Sequence, residues 1–462
     1  MIFRTVFAGV LAYWYVASPG ELTNGVNRTR EAGNPGRSSP DTGTSAFLDV
    51  NVVPMDAERI LTGQTVVVQG NRILAIGPSK KIRVPRNAIR ISAKGKYLIP
   101  GLADMHTHLQ LADSAEAERW LRLFLANGVT TIRNMDYLTP SEGLIRQGGS
   151  QLTRWRARTA SGEIPGPHIY TSGPVDGVWD QILRGLRLPP DSMEHRLAKY
   201  KAAGYDFLKV YPEERTATFD SLLVIARRVG IPVVGHITAN SPIDTSLFPL
   251  YTSIEHLFGF SYNRKSPITD EEIPAIVAAT RRGRVWICPT QMLAEMISNR
   301  SATDAAKGWP EVRGAYVSDE LQQMWWGIVT INTSDHDAVQ KITTARRLLK
   351  ALQDAGAGLL LGTDAPAHYQ VPGFSVHHEL EALVRAGLTP YQALLTGTRN
   401  VAEYFGTSQD RGTVTVGKQA DLVLLNGNPL TNIRNTASPV GVMIGGRWLP
   451  NDATATTVQS RK

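Results

Sequence analysis

Between Pro100 and Gly406 the sequence alternates short apolar runs with stretches of helical periodicity, and this rhythm limits the fold more than any other feature. The apolar runs fall at about 102–107, 128–134, 168–173, 206–211, 231–237, 252–258, 285–290 and 358–364, with helical stretches such as 115–126 and 219–228 between them. A last helix is expected over 390–405, where Pro390 suits the first turn because its missing N–H would find no partner there. Eight strands alternating with helices predict an α/β protein built on a closed (β/α)8 TIM barrel, with a doubly wound open sheet as the fallback. The stretch between the seventh and eighth strands, 291–357, is unusually long, mostly helical in pattern, and carries Trp309, Trp325 and Trp326. It reads as a cover over the barrel mouth.

Two β-rich segments flank this middle. Residues 65–69 and 72–76 read as strands around the turn Gly70-Asn71, and residues 420–425 and 440–444 read as strands before the turn Gly445-Gly446. Neither end offers enough strands for a stable sheet. Together, 47–99 and 410–455 predict a small composite β-sandwich domain, leaving 100–409 for the barrel. Ahead of them, residues 1–18 look like a signal peptide, with Arg4 followed by an apolar run from Thr5 to Ala17 and then small residues. Export, to the periplasm or beyond the cell, is therefore expected, with a cytoplasmic location if the segment has no such role. Residues 19–46, rich in Gly, Pro, Ser, Thr and Asn, read as a flexible linker.

Composition removes several classes. With 42% hydrophobic and 19% charged residues the chain has a globular and not a disordered balance. Its one cysteine, Cys288, excludes an intramolecular disulfide and a thiolate metal cluster, and its place in an apolar run marks it as a core residue. Beyond the N-terminus no apolar run is long enough for a membrane span, so no integral membrane domain is expected. The net charge of +8 is scattered, without an aromatic-interleaved basic stripe, and nucleic acid is not an expected partner.

The chemistry gathers at the C-terminal ends of the strands. Asp104-Met105-His106-Thr107-His108 puts two imidazoles at i and i+2, hence on one side of a strand, in chelating geometry. Lys209 lies inside the apolar run of the fourth strand, where a charge is costly unless paired or chemically altered. The fifth and sixth strands end in His236 and His256, and the eighth in Asp364. Any one of these has an ordinary explanation as a satisfied polar group. At the C-terminal face of one barrel they converge, and four histidines, an aspartate and a buried lysine suit borderline divalent ions such as zinc.

Pro100-Gly101-Leu102-Ala103-Asp104-Met105-His106-Thr107-His108 resembles the opening motif of the amidohydrolase superfamily. Lys209, His236, His256 and Asp364 fall where that superfamily has its strand-four lysine, its strand-five and strand-six histidines and its strand-eight aspartate. Residues 412–423 are similar to its closing β-domain signature, and 373–380 resemble the imidazolonepropionase-like and prolidase-like branch. The resemblance spans about 47–450. It implies two divalent metal ions, zinc being favoured: one on His106, His108 and Asp364, the other on His236 and His256. Carboxylated Lys209 would bridge them, and a one-metal site stays open.

The same resemblance implies an amidohydrolase that cleaves a C–N bond of an amide or cyclic amide by attack of a metal-bridging hydroxide. Asp364 would carry the water's proton to the leaving nitrogen. Tyr211, on the same strand face as Lys209, is a candidate donor to the oxyanion, with a structural tyrosine as the equal alternative. His368, His377 and Arg215 are candidate substrate contacts, Arg215 for a carboxylate, whereas His168 at the start of the third strand reads as structural. Alternatives are an Xaa-Pro dipeptidase or carboxypeptidase-like hydrolase of N-acyl amino acids, an ester or lactone hydrolase, and a non-catalytic binding protein on the same barrel. The full ligand set favours the enzyme. The expected partner is a small amide or dipeptide-like molecule; a homo-oligomer is left open. Substrate identity rests in loops 137–166, 174–195 and 291–357, whose composition carries no readable code.

Overall fold

The computed structural model describes residues 43–109, 114–135, 142–173, 190–211, 215–237, 245–257, 268–298, 304–313, 316, 318–319, 321–323, 325 and 338–451. Residues 1–18, expected as a signal peptide, 19–42 of the expected linker, loop residues 174–189 and Trp326 lie outside them, whereas 44–46, expected in the linker, are buried and belong to a strand.

Strands from both ends of the chain share one eight-stranded sheet. Its members are β1 (Thr44–Val52), β2 (Leu61–Gln69), β3 (Arg72–Pro78), β4 (Ile89–Ser92), β5 (Tyr97–Pro100), β13 (Leu422–Leu425), β14 (Pro439–Ile444) and β15 (Arg447–Pro450), ordered β15-β14-β13-β5-β1-β2-β3 with β4 beside β1. Irregularities in β1 between Phe47, Val50 and Val52 let β4 and β5 pair with successive stretches of that strand. The join between the two chain ends is the antiparallel pairing of β13 with β5, Leu422 opposite Pro100 and Leu425 opposite Tyr97. The hydrogen bonds thus draw one continuous sheet where two facing sheets were expected.

Period-two alternation in the joining strands ties this sheet to the rest of the molecule. Leu98, Leu422, Leu424 and Met443 enter a small core with Phe47, Val50, Val66 and Val68. Their neighbours Ile99, Val423, Leu425 and Val442 enter the large core. Each such side chain contributes roughly 1.5–3 kcal/mol on burial, so the same few strands stabilise both cores.

The middle of the chain carries two parallel arcs. One is β6 (Leu102–Thr107), β7 (Val129–Asn134) and β8 (His168–Thr171); the other is β9 (Leu208–Val210), β10 (Val233–Gly235), β11 (Ser253–Glu255) and β12 (Trp286–Cys288). Helices intervene, for example Ser114–Ala126, Ala217–Val229 and Ile273–Gly283. The second of these starts where the Thr216 hydroxyl accepts the Phe219 N–H, ends at Gly230, and buries Phe219, Leu222, Leu223 and Ala226 on one face. Single parallel bridges connect Ser172 to Phe207, Ile287 to Leu359 and Thr107 to Ala365.

A closed eight-stranded sheet was expected, and the eighth run departs from it: 358–364 is not a regular strand. The run keeps single backbone bonds to its neighbours, Leu360 N–H to the Ile287 carbonyl at 2.9 Å and Met105 N–H to the Leu361 carbonyl at 2.8 Å, without a continuous ladder. Thr363 N–H donates to the Asp104 carboxylate at 3.0 Å and Asp364 N–H to the His106 carbonyl at 2.8 Å. Gly362 permits the close approach, since a Cβ there would overlap Cys288 Sγ. The expected helix over 390–405 is likewise two helices, Pro390–Thr396 and Arg399–Tyr404, parted at Gly397 and at Thr398, whose backbone is not helical. Among the described residues no helix is long and apolar enough to cross a membrane.

Gly235, the last residue of β10, has φ 140°, and a Cβ on it would overlap the Val210 carbonyl oxygen. Gly235→Ala is expected to cost about 2–4 kcal/mol and to lower the thermal unfolding midpoint. A midpoint equal to that of the wild type would refute this account of the β9–β10 approach.

Candidate metal centre

Strand β6 is buried at every residue and delivers His106 to the interior, with His108 just beyond its end. The two Nε2 atoms converge on one oxygen: Asp364 Oδ1 lies 3.0 Å from His106 Nε2 and 2.8 Å from His108 Nε2. Asp364 reaches back to them with φ 71°, a left-handed conformation uncommon outside glycine, and its N–H bonds to the His106 carbonyl. His256, at φ 64°, follows β11; its Nδ1 lies 2.8 Å from Thr290 Oγ1 and its ring centroid 4.5 Å from that of His106. The His236 ring stands 4.8 Å from His256 and 4.8 Å from Tyr211. Lys209 is buried, its Nζ without a hydrogen-bond partner and 4.9 Å from the centre of the Tyr211 ring. All six expected ligands therefore belong to one cluster, with Tyr211 at its edge.

Two residues that the sequence did not single out organise it. Glu255 is fully buried in β11 and its Oε2 lies 2.8 Å from His106 Nδ1. Its other oxygen accepts from Arg133 at 2.7 Å and from the Ser253 hydroxyl at 2.5 Å. Arg133, equally buried in β7, also donates to the Met105 carbonyl, Ser253 Oγ and the Tyr404 hydroxyl, at 2.7, 2.8 and 2.8 Å. Burial alone would raise the Glu255 pKa; the Arg133 charge and the His106 bond hold it well below the usual carboxylate range. The available signals were a charge at the end of the apolar run 129–132 and a glutamate one residue before His256.

The residues fit a divalent cation. Glu255 Oε2 faces His106 Nδ1 and would hold a proton there, while His106 Nε2 is buried, 3.0 Å from Asp364 Oδ1 and without a hydrogen bond. That arrangement calls for positive charge between the two atoms. The ligand atoms of His106, His108 and Asp364 all lie within 4.8 Å of one another, and imidazole with carboxylate suits a borderline ion. Burial holds His236 and His256 well below the usual histidine range, hence as neutral imidazoles, the ligating form. Burial also pushes Lys209 down to about 8, against the upward pull of Glu255 and Asp364.

Other candidates lie elsewhere or play other parts. Both ring nitrogens of His368 are buried without partners, in the loop beyond Asp364, and burial pushes its pKa down to about 4. His377 is not brought to the cluster: its Nδ1 lies 3.0 Å from Thr436 Oγ1, in the 3-10 turn Ile433–Ala437. The Arg215 guanidinium is engaged by Asp220 at 2.9 Å and by Ser246 at 3.0 Å. His168 contacts Asp421 at 3.0 Å, tying β8 to the end sheet, and Cys288 is buried beside Gly362.

Residues 97–449 match the model of the amidohydrolase family, and the chain belongs to that family. It is 35% identical to an imidazolonepropionase of Vibrio cholerae serotype O1, over 80% of this chain and 88% of that protein. An adenine deaminase of Ruegeria sp. is 21% identical over 84% of this chain. The chain spans about half the length of the adenine deaminases it matches, 55% and 52%. Among solved structures, a Xaa-Pro dipeptidase with bound methionine superposes with a TM-score of 0.65 at 17% identity, covering 88% of this chain and all of the other. Phenylurea hydrolase B gives 0.65 at 19% identity, over 91% of this chain and all of the other. At such identities these likenesses speak for the fold, an α/β fold of the TIM-barrel type.

Arg133→Met would leave the Glu255 carboxylate buried and uncompensated, at an expected cost of about 3–5 kcal/mol. Arg133→Met combined with Glu255→Gln should recover a large part of that loss in equilibrium unfolding. Strict additivity of the two substitutions would refute the pairing.

Proposed function

We propose that the protein is a metal-dependent hydrolase of carbon–nitrogen bonds in small amides or cyclic amides. The observation that carries this reading is the convergence of His106, His108 and Asp364 on one point beside a buried, unpartnered Lys209. The first cation would be held by His106, His108 and Asp364 and a second by His236 and His256, with zinc the favoured identity for both. Such ions supply Lewis acidity toward the scissile carbonyl and toward water.

The protein's own groups do the rest. With its pKa near 8, the Lys209 amine is partly neutral at physiological pH and can add to carbon dioxide: a nitrogen–carbon bond forms, one proton leaves, and a carbamate anion remains. That exchange replaces a buried cation, whose desolvation is costly, by an oxygen ligand between the two histidine sets. Glu255 fixes the orientation and tautomer of His106. Asp364, held by His106 and His108, accepts the proton of the attacking water and returns it to the leaving nitrogen. Tyr211 donates to the developing oxyanion, and the neutral His368 ring, short of partners, contacts the substrate. The contacts of Arg215 with Asp220 and Ser246 count against its receiving a carboxylate, which favours amides and cyclic amides over N-acyl amino acids. Residues 1–18 support export as the location.

Metal content by plasma mass spectrometry tests the centre directly. The wild type should carry about two divalent ions per chain and Lys209→Ala far fewer. Absence of metal, with none taken up on reconstitution in bicarbonate, would overturn the reading. Asp364→Asn should lower turnover of whichever cyclic amide, dipeptide or N-acyl amino acid is cleaved in a screen by about 10²- to 10⁴-fold. Unchanged turnover would remove Asp364 from proton transfer.

A further inference from the structure

Asp364 belongs to a loop, 363–370, in which three non-glycine residues adopt left-handed backbone: Asp364 at φ 71°, His368 at 47° and Tyr369 at 64°. Such conformations persist only where the surroundings over-determine them. Most of the restraint comes from neighbouring residues of the barrel and of the loop itself. The Asp104 carboxylate accepts from Thr363 N–H and Oγ1, His108 N–H donates to the Ala365 carbonyl at 2.9 Å, and the Gln370 amide donates to the Thr363 carbonyl.

Another restraint comes from the long insertion between the seventh and eighth runs. Trp325 is fully buried, its indole Nε1–H donates to the Pro366 carbonyl at 2.6 Å, and its ring centroid lies 5.3 Å from that of Tyr369. Proline has no backbone N–H, so this carbonyl is the only main-chain hydrogen-bonding group at position 366. The insertion is itself tied down. Ser318 N–H donates to Glu116 at 2.9 Å, Trp120 Nε1–H donates to the Tyr316 carbonyl at 3.3 Å, and Trp309 stacks on His378 at 3.8 Å.

We propose that Trp325 is a positioning residue for Asp364: its indole N–H, on an insertion anchored to the helices 114–126 and 375–385, fixes the strained loop in the geometry that lets Asp364 meet His106 and His108. The insertion then acts as a strut on the metal-ligand loop as well as a cover. This rests on the reading of those three residues as metal ligands.

The test is titration of the metal-free full chain with Co²⁺ against a competing chromophoric chelator, together with the visible spectrum of the Co²⁺-loaded protein and the thermal midpoint of the metal-free form. The variants are Trp325→Phe and replacement of Trp325 by 3-benzothienylalanine, which keeps the tryptophan shape and puts sulfur in place of the N–H. In both, Co²⁺ affinity should fall by about tenfold or more, the loss typical of an outer partner of a metal ligand, with shifted visible bands and a nearly unchanged midpoint. Wild-type affinity and spectrum in the benzothienylalanine protein would overturn the proposal, whatever the phenylalanine variant does to folding. A wild type that binds no Co²⁺ would instead overturn the metal-centre reading, and this proposal with it.

Discussion

A glutamate with no exposed surface must be solvated by the protein, and much of the interior follows from how that is done for Glu255. Its two oxygens receive hydrogen bonds from Arg133 on β7, Ser253 on β11 and His106 on β6. Those partners come from both parallel arcs, so the arcs must meet across the interior at the right height for the charge to be tolerated. Burying an ion pair rarely stabilises a fold compared with packed apolar groups. Here the pairing fixes the His106 ring through Nδ1 and leaves its Nε2 3.0 Å from Asp364 Oδ1.

Much of this cluster was legible in the sequence because strand geometry is simple. The spacing of His106 and His108 places both on one side of β6 and its continuation, and the ends of successive apolar runs identify Lys209, His236, His256 and Asp364. The union of the two chain ends was legible for a similar reason, since neither half has enough strands to be stable alone. What stayed hidden depended on partners distant in sequence. Arg133 and Glu255 read separately as misplaced charges, and only the fold makes each the explanation of the other. Arg215 and His377 lie in the right neighbourhood along the chain, but their side chains turn to Asp220 and Thr436. Leu359-Leu360-Leu361 has the composition of a strand, yet it pairs only through isolated bridges, and the Thr363 N–H beyond it turns to the Asp104 carboxylate.

Left-handed backbone recurs where the chemistry is. His256, Thr290, Asp364 and His368 all have positive φ, and His256 is further fixed by the Thr290 hydroxyl. In a regular strand these side chains would alternate between the two faces of the sheet. The departures fall beside the point where His106, His108 and Asp364 come within 4.8 Å of one another, and such conformations persist only where the surroundings hold them. The cost of these conformations is offset by the two cores, which lie on opposite faces of the continuous sheet formed by β5, β13 and β14.

That continuity has a consequence for biosynthesis. A ribosome releases β1 to β5 long before β13, yet β13 is the strand that pairs with β5 and seals one face of each core. Throughout translation of the barrel the open edge of β5 and the apolar side chains behind it await their partner, and a prematurely terminated chain keeps both exposed. Such an incomplete chain presents the unpaired strand edge and apolar surface that chaperones and proteases recognise, so completion of the fold doubles as a check that synthesis has run to the last strands.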